Sequence, residues 1–154
     1  MKFVMCQSRE WEEGDCYRAC LASILNVPAS FVPHFAEEYK HQDSFHEEVD
    51  AWLAPFGLVT FNMVMSPEEP AADVPVFWNN INPGVPAILS GLAYNFGRHS
   101  VVIHNGNVYD PSGAGMVSPI PPWRQPDGNM HSGGWWISGV SVGDNFVLRK
   151  MPSV

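Results

Sequence analysis

From residue 16 to residue 25 the chain runs without Gly or Pro, and Cys16, Ala19, Cys20, Ser23 and Ile24 recur at helical spacing. The spacing predicts a helix over 16–25 whose shared face is built largely of small side chains, so that a second layer can approach it closely. Asp15 stands just before it, a residue type that caps helices by accepting from the free N–H groups of the first turn, which places Cys16 at the first helical position. Pro28 and Pro33 interrupt the pattern and leave room for no more than a helical turn over 29–32. A second helix is predicted where Ser44, Phe45, His46 and Glu47 form a capping box, with Phe45, Val49, Trp52, Leu53 and Phe56 following at helical intervals until Gly57.

Beyond Gly57 the period shortens, and strands are expected over 58–64, 87–93, 98–104, 107–110, 135–142 and 145–149. Helices first and strands second indicate an α+β fold with an antiparallel sheet, not alternating βαβ units. Asn105-Gly106 between two apolar runs is a strong signal for a two-residue hairpin with a type I′ turn. That turn sets His104 opposite Asn107, Ile103 opposite Val108, Val101 opposite Asp110 and His99 opposite Ser112. Opposed residues share a face, so His99, Val101, Ile103, Val108 and Asp110 point one way, toward the core, and His104 points the other. The stretch 111–134 is rich in Pro and Gly, lacks either period, and is longer than ordinary connections; such loops are functional or disordered. Trp123, Arg124 and Trp135 near its end suit a cleft wall and core anchors equally.

A length of 154 residues fits a single domain, 1–154. With 8 Lys and Arg against 16 Asp and Glu the formal charge is -8, which sets the field against a nucleic-acid partner. The first residues read too polar for a secretory signal, and no apolar run is long enough to span a membrane. Cys6, Cys16 and Cys20 are an odd number crowded near one end, which suits a reducing compartment, so a cytoplasmic location is expected.

A thiol at a helix N-terminus feels the partial positive charge of the unpaired N–H groups, which favours the attacking thiolate and makes Cys16 a candidate nucleophile. Packing is the competing explanation, since free Cys is among the most buried residue types. Cys20, one turn deeper, reads as core. A pair of Cys spaced by four without a second pair is a poor zinc motif, the His residues are scattered, and no glycine-rich phosphate loop follows a strand, so neither metal nor cofactor is implied. Among the histidines, the hairpin singles out His99. Asp110 stands diagonally from it, within reach to accept from an imidazole N–H, fix the tautomer and stabilise the imidazolium. A surface hairpin that happens to carry His and Asp is the competing explanation.

Gly14-Asp15-Cys16, Val32-Pro33-His34-Phe35, His99-Ser100-Val101-Val102 and Val108-Tyr109-Asp110-Pro111 together resemble a papain-like cysteine peptidase. More narrowly, they are similar to small bacterial and phage peptidase-like proteins related to the bacteriocin-processing peptidase domains. The resemblance spans about residues 5–111. It implies a papain-like fold, with N-terminal helices carrying Cys packed on a sheet carrying His and Asp. It further implies Cys16 as nucleophile, His99 as general base, Asp110 as orienting acid, and Gln7, the only upstream Gln, as an oxyanion donor. The expected activity is a thiol hydrolase acting on a peptide, amide or isopeptide bond of a peptide or protein substrate through a thioester. An acyltransferase, a transglutaminase-like enzyme or a deamidase would use the same triad, and a catalytically idle binding module is the non-enzymatic alternative.

Overall fold

The computed structural model describes residues 1–6, 15–38, 45–94, 97–124 and 128–142. Gln7, Ser44 and the strand expected over 145–149 lie outside the described residues. Helix α1 occupies Cys16–Leu25, followed by a 3-10 turn at Ala29–Phe31 and the short α2 at Phe35–Glu38. Arg18 ties the turn to α1, its Nε donating to the carbonyls of Ala29 and Val32, both at 2.8 Å. Helix α3, Phe45–Leu53, runs into a second 3-10 turn, Ala54–Phe56, which Gly57 ends at a φ of 75°. That left-handed value is the one glycine adopts without steric cost. The remaining elements are β1 Leu58–Met65, α4 Asp73–Ile81, β2 Ala87–Ala93, β3 Arg98–His104, β4 Asn107–Tyr109, β5 Met116–Ser118, β6 Trp123–Arg124, β7 Met130–His131 and β8 Trp135–Val142.

The fold is mixed α and β with an open antiparallel sheet, but helices and strands are less segregated than the sequence pattern indicates. Helix α4 falls between β1 and β2. Pro75 disguises it in the sequence, yet lies in the first helical turn, where a missing N–H forfeits no intrahelical bond. The stretch 111–134 is likewise not without strands. It carries β5, and β6 pairs with β7 as a small separate ribbon.

In the main sheet the order is β1-β8-β2-β3-β4, antiparallel throughout. Strand β8 accompanies β2 as far as Ser90, opposite Trp136; β5 takes over beyond, with Leu92 opposite Ser118. Gly91 stands at that changeover, where an added Cβ would come within 2.7 Å of the Ser118 carbonyl and 2.8 Å of the Trp135 ring. A side chain there would push the two strands apart.

Side chains alternate across the sheet, and both faces are covered. On one, Ile88 and Val102 pack with Cys20 and Leu21 of α1 and Val49 and Leu53 of α3. On the other, Ala87, Leu89, Val101, Ile103, Trp135 and Ile137 pack with Val74 and Trp78 of α4. Double coverage explains why β2 and β3 read as nearly continuous apolar runs. Each large side chain removed from water contributes about 1.5–3 kcal/mol. Trp78 and Trp135 are buried with their indole N–H groups satisfied, Trp78 donating to the Val85 carbonyl at 2.7 Å and Trp135 to that of Glu69 at 2.8 Å. Val108, expected on the core side, is instead 49% exposed, because β4 is an edge strand. At the opposite edge, Asp50 of α3 accepts from the Thr60 backbone N–H at 2.8 Å and its hydroxyl at 2.7 Å, which blunts β1 as a template for another strand.

Among the described residues, no helix is long and apolar enough to cross a membrane.

Candidate active site

The hairpin that carries the candidate base and acid folds from local chemistry. Asn105 and Gly106 take φ values of 52° and 74°, the pair of left-handed residues a type I′ turn requires. The ladder then sets His104 opposite Asn107, Ile103 opposite Val108 and Val102 opposite Tyr109. Pairing stops at Tyr109, and Asp110 opens a tight loop that brings its carboxylate back to His99. His99 Nε2 lies 2.9 Å from Asp110 Oδ1, with the imidazole buried and the carboxylate partly so.

Asp110 is itself held from all sides. Its Oδ1 accepts from the Ser112 N–H at 2.8 Å, the Ser112 hydroxyl at 3.0 Å and the Gly113 N–H at 3.0 Å; its Oδ2 accepts from the Gly115 N–H at 2.7 Å. Gly113 and Gly115 reach these positions at φ values of 71° and 74°, which a side chain would resist. Burial works against ionisation of this carboxyl, but the Gly115 and Ser112 N–H groups and the neighbouring His99 outweigh it and hold its pKa below the ordinary value. Asp110 is therefore a fixed anion beside the imidazole.

The surroundings of the candidate nucleophile are built differently. Cys16 is the first residue of α1, packed beside β3, and is half-buried. Its thiol takes hydrogen bonds from the main chain and hydroxyl of Ser100 and from the Tyr17 main chain, yet burial dominates and pushes its pKa above the ordinary thiol value, with Asp15 adding to the rise. The helix N-terminus thus does not yield a resting thiolate, contrary to the expectation from sequence, because desolvation exceeds what those donors supply. Cys20 is fully buried and raised further for the same reason. Cys6 is pushed up to about 12 by burial, with Asp15 and Cys16 contributing.

Asp15 sits at the cap position, its carbonyl accepting from the Ala19 N–H at 2.9 Å, but its side chain makes no capping bond. Its backbone, at φ -101° and ψ 25°, is not in the extended geometry that turns a capping side chain over the first turn. The carboxylate is buried and bonds the Cys6 thiol instead. Cys6 in turn donates its backbone N–H to the Pro111 carbonyl at 3.0 Å, which ties the N-terminal segment to the loop that follows Asp110.

The structure thus joins His99 to Asp110 and sets Cys16 against Ser100, the next residue of β3. Gln7 lies outside the described residues. His104 points away, its Nε2 3.1 Å from the Gly84 carbonyl. Two residues without a role in the sequence reading belong to the site. Ser100, paired through its hydroxyl with that of Ser90 at 2.9 Å, holds the thiol, and Ser112 sits between imidazole and carboxylate. The hairpin register sets Ser112 opposite His99, a signal that could have found it; Ser100 stands next to His99 in the sequence, but no pattern there gives it a role. Among the described residues, no cluster of His, Cys, Asp and Glu is arranged to hold a metal ion. Compared with known proteins, the chain matches no family model, no curated protein and no solved structure.

Proposed function

We propose that this protein is a papain-like, cysteine-dependent hydrolase of amide, peptide or isopeptide bonds, with Cys16 as nucleophile, His99 as general base and Asp110 as orienting acid. The observation that carries the reading is the 2.9 Å bond between His99 Nε2 and Asp110 Oδ1, one residue along β3 from the serine that holds the Cys16 thiol. With Nε2 engaged by the carboxylate, the basic lone pair falls on Nδ1.

Because burial keeps the thiol protonated, the first step is general-base attack. The thiol turns from Ser100, Nδ1 takes its proton, and the sulfur bonds to the substrate carbonyl carbon. The resulting oxyanion accepts from the Cys16 backbone N–H, one of the free donors at the start of α1. Collapse breaks the C–N bond, and the imidazolium gives its proton to the departing amine. Water, relieved of a proton by His99, then cleaves the thioester and returns Cys16 to the thiol.

A second reading, an idle module that binds a peptide or partner protein, draws on the neutral thiol and its bond to Ser100. Comparing proteomes of cells expressing the native chain or its Cys16→Ala form separates the two. New termini that require Cys16 support the hydrolase, and deamidated Gln or Asn would turn the reading to a deamidase. Indistinguishable proteomes would leave the binding module.

A further inference from the structure

We propose that Ser112 is a positioning residue for His99: its hydroxyl and the Asp110 carboxylate form a two-acceptor cradle that holds the imidazole proton on Nε2 and leaves the lone pair on Nδ1. As a role in a reaction this rests on the hydrolase reading above; as a statement about the imidazole it stands on hydrogen-bond bookkeeping alone. Ser112 Oγ donates to Asp110 Oδ1 at 3.0 Å and accepts from the Ala114 N–H at 3.0 Å. A hydroxyl has one proton to give and two lone pairs to receive with. Its proton is already committed to Asp110, so the remaining contact, 3.3 Å from His99 Nε2, is an acceptor position. Asp110 Oδ1, ionised and 2.9 Å from the same nitrogen, is an acceptor as well. Both neighbours of Nε2 accept, and the nitrogen between them must carry the proton.

The cradle also fixes the ring's direction. A single acceptor lets an imidazole swing about one bond, whereas two acceptors from one loop, with Ser112 buried, set the ring plane. The Ser112 N–H that donates to Asp110 Oδ1 belongs to the main chain and survives loss of the hydroxyl, so Ser112→Ala removes the second acceptor while leaving this anchor of the carboxylate in place.

The test is imidazole nitrogen NMR on the full chain, comparing native protein, Ser112→Ala and Ser112→Thr. Native His99 is expected to show the Nε2–H tautomer with a slowly exchanging ring proton. In Ser112→Ala that exchange should quicken about three- to tenfold, the equivalent of one ordinary hydrogen bond, and Ser112→Thr, which keeps the hydroxyl, should restore it. A native Nδ1–H tautomer, or equal exchange in Ser112→Ala and native protein of the same chemical-shift dispersion, overturns the proposal. Labelling of Cys16 separates this from the hydrolase reading. If Cys16 reacts no faster than Cys6 while the exchange result holds, the hydrolase fails and the assignment of Ser112 stands.

Discussion

The two ends of the site differ in how much of their working geometry is already built. At the proposed base, His99 and Asp110 are locked by Ser112, Gly113 and Gly115 into one arrangement with the carboxylate ionised. At the proposed nucleophile, Cys16 rests on Ser100 and burial pushes its thiol pKa up. In the proposed reaction the work would fall on the thiol. A rigid, charged acid–base pair needs no rearrangement, whereas the thiol must be turned and deprotonated, a change that substrate binding would have to drive.

The largest expected effect comes from removing the charge at the locked end. Asp110→Asn should lower turnover by about 10²–10⁴, with substrate binding little changed, as read from kcat and KM separately. If kcat holds, the locked end is a structural hairpin and the contrast disappears. Gly115→Ala probes the lock more gently. An added Cβ meets only the Tyr94 ring at 3.6 Å, so the cost is the left-handed backbone, about 1–2 kcal/mol by denaturant melt. A loss of activity beyond that of Gly113→Ala, whose Cβ would meet nothing within 4 Å, would single out the Gly115 bond to Oδ2.

Acid should reveal the locked end as a stability term. The Asp110 pKa is lowered on folding, so its contribution is fully present above the ordinary carboxyl value of about 3.9 and disappears as pH falls through the lowered folded value. His46, stacked on Trp136, has its pKa lowered by burial, with Asp50 opposing, so it binds protons more readily when unfolded. Stability should therefore begin to fall as pH drops below the ordinary imidazole value of about 6.5. His46→Gln should remove the first decline and Asp110→Asn the second, in melts followed across pH. The smallest effect is that of His104→Ala. Its contact with the Gly84 carbonyl is exposed, so stability should move by less than about 0.5 kcal/mol and turnover hardly at all.

What could be read from the chain was local in origin. The Asn105-Gly106 turn fixes its own backbone and hence the register that carries His99 and Asp110 to the same end of the hairpin. Helix α1 was legible because its small-residue face and the breaks at Pro28 and Pro33 are both sequence features. Helix α4 was not, because Pro75 reads as a breaker until the helix start is known. Val108 could not be placed outside the core, since its exposure depends on β4 being an edge. Nor could the protonation of Cys16 be foreseen. A helix N-terminus is visible in sequence, whereas the burial that outweighs it comes from elements far along the chain. Ser100 takes its role from meeting α1 across the fold, which no local pattern records.

Whether Cys16 and His99 work as one unit can be read from site-resolved iodoacetamide alkylation of the native chain and of His99→Ala across pH. Cys16 should react at least about tenfold faster than Cys6 or Cys20 near neutral pH and lose most of that advantage in His99→Ala. Slow labelling of all three cysteines, or a Cys16 rate indifferent to His99, would contradict that coupling.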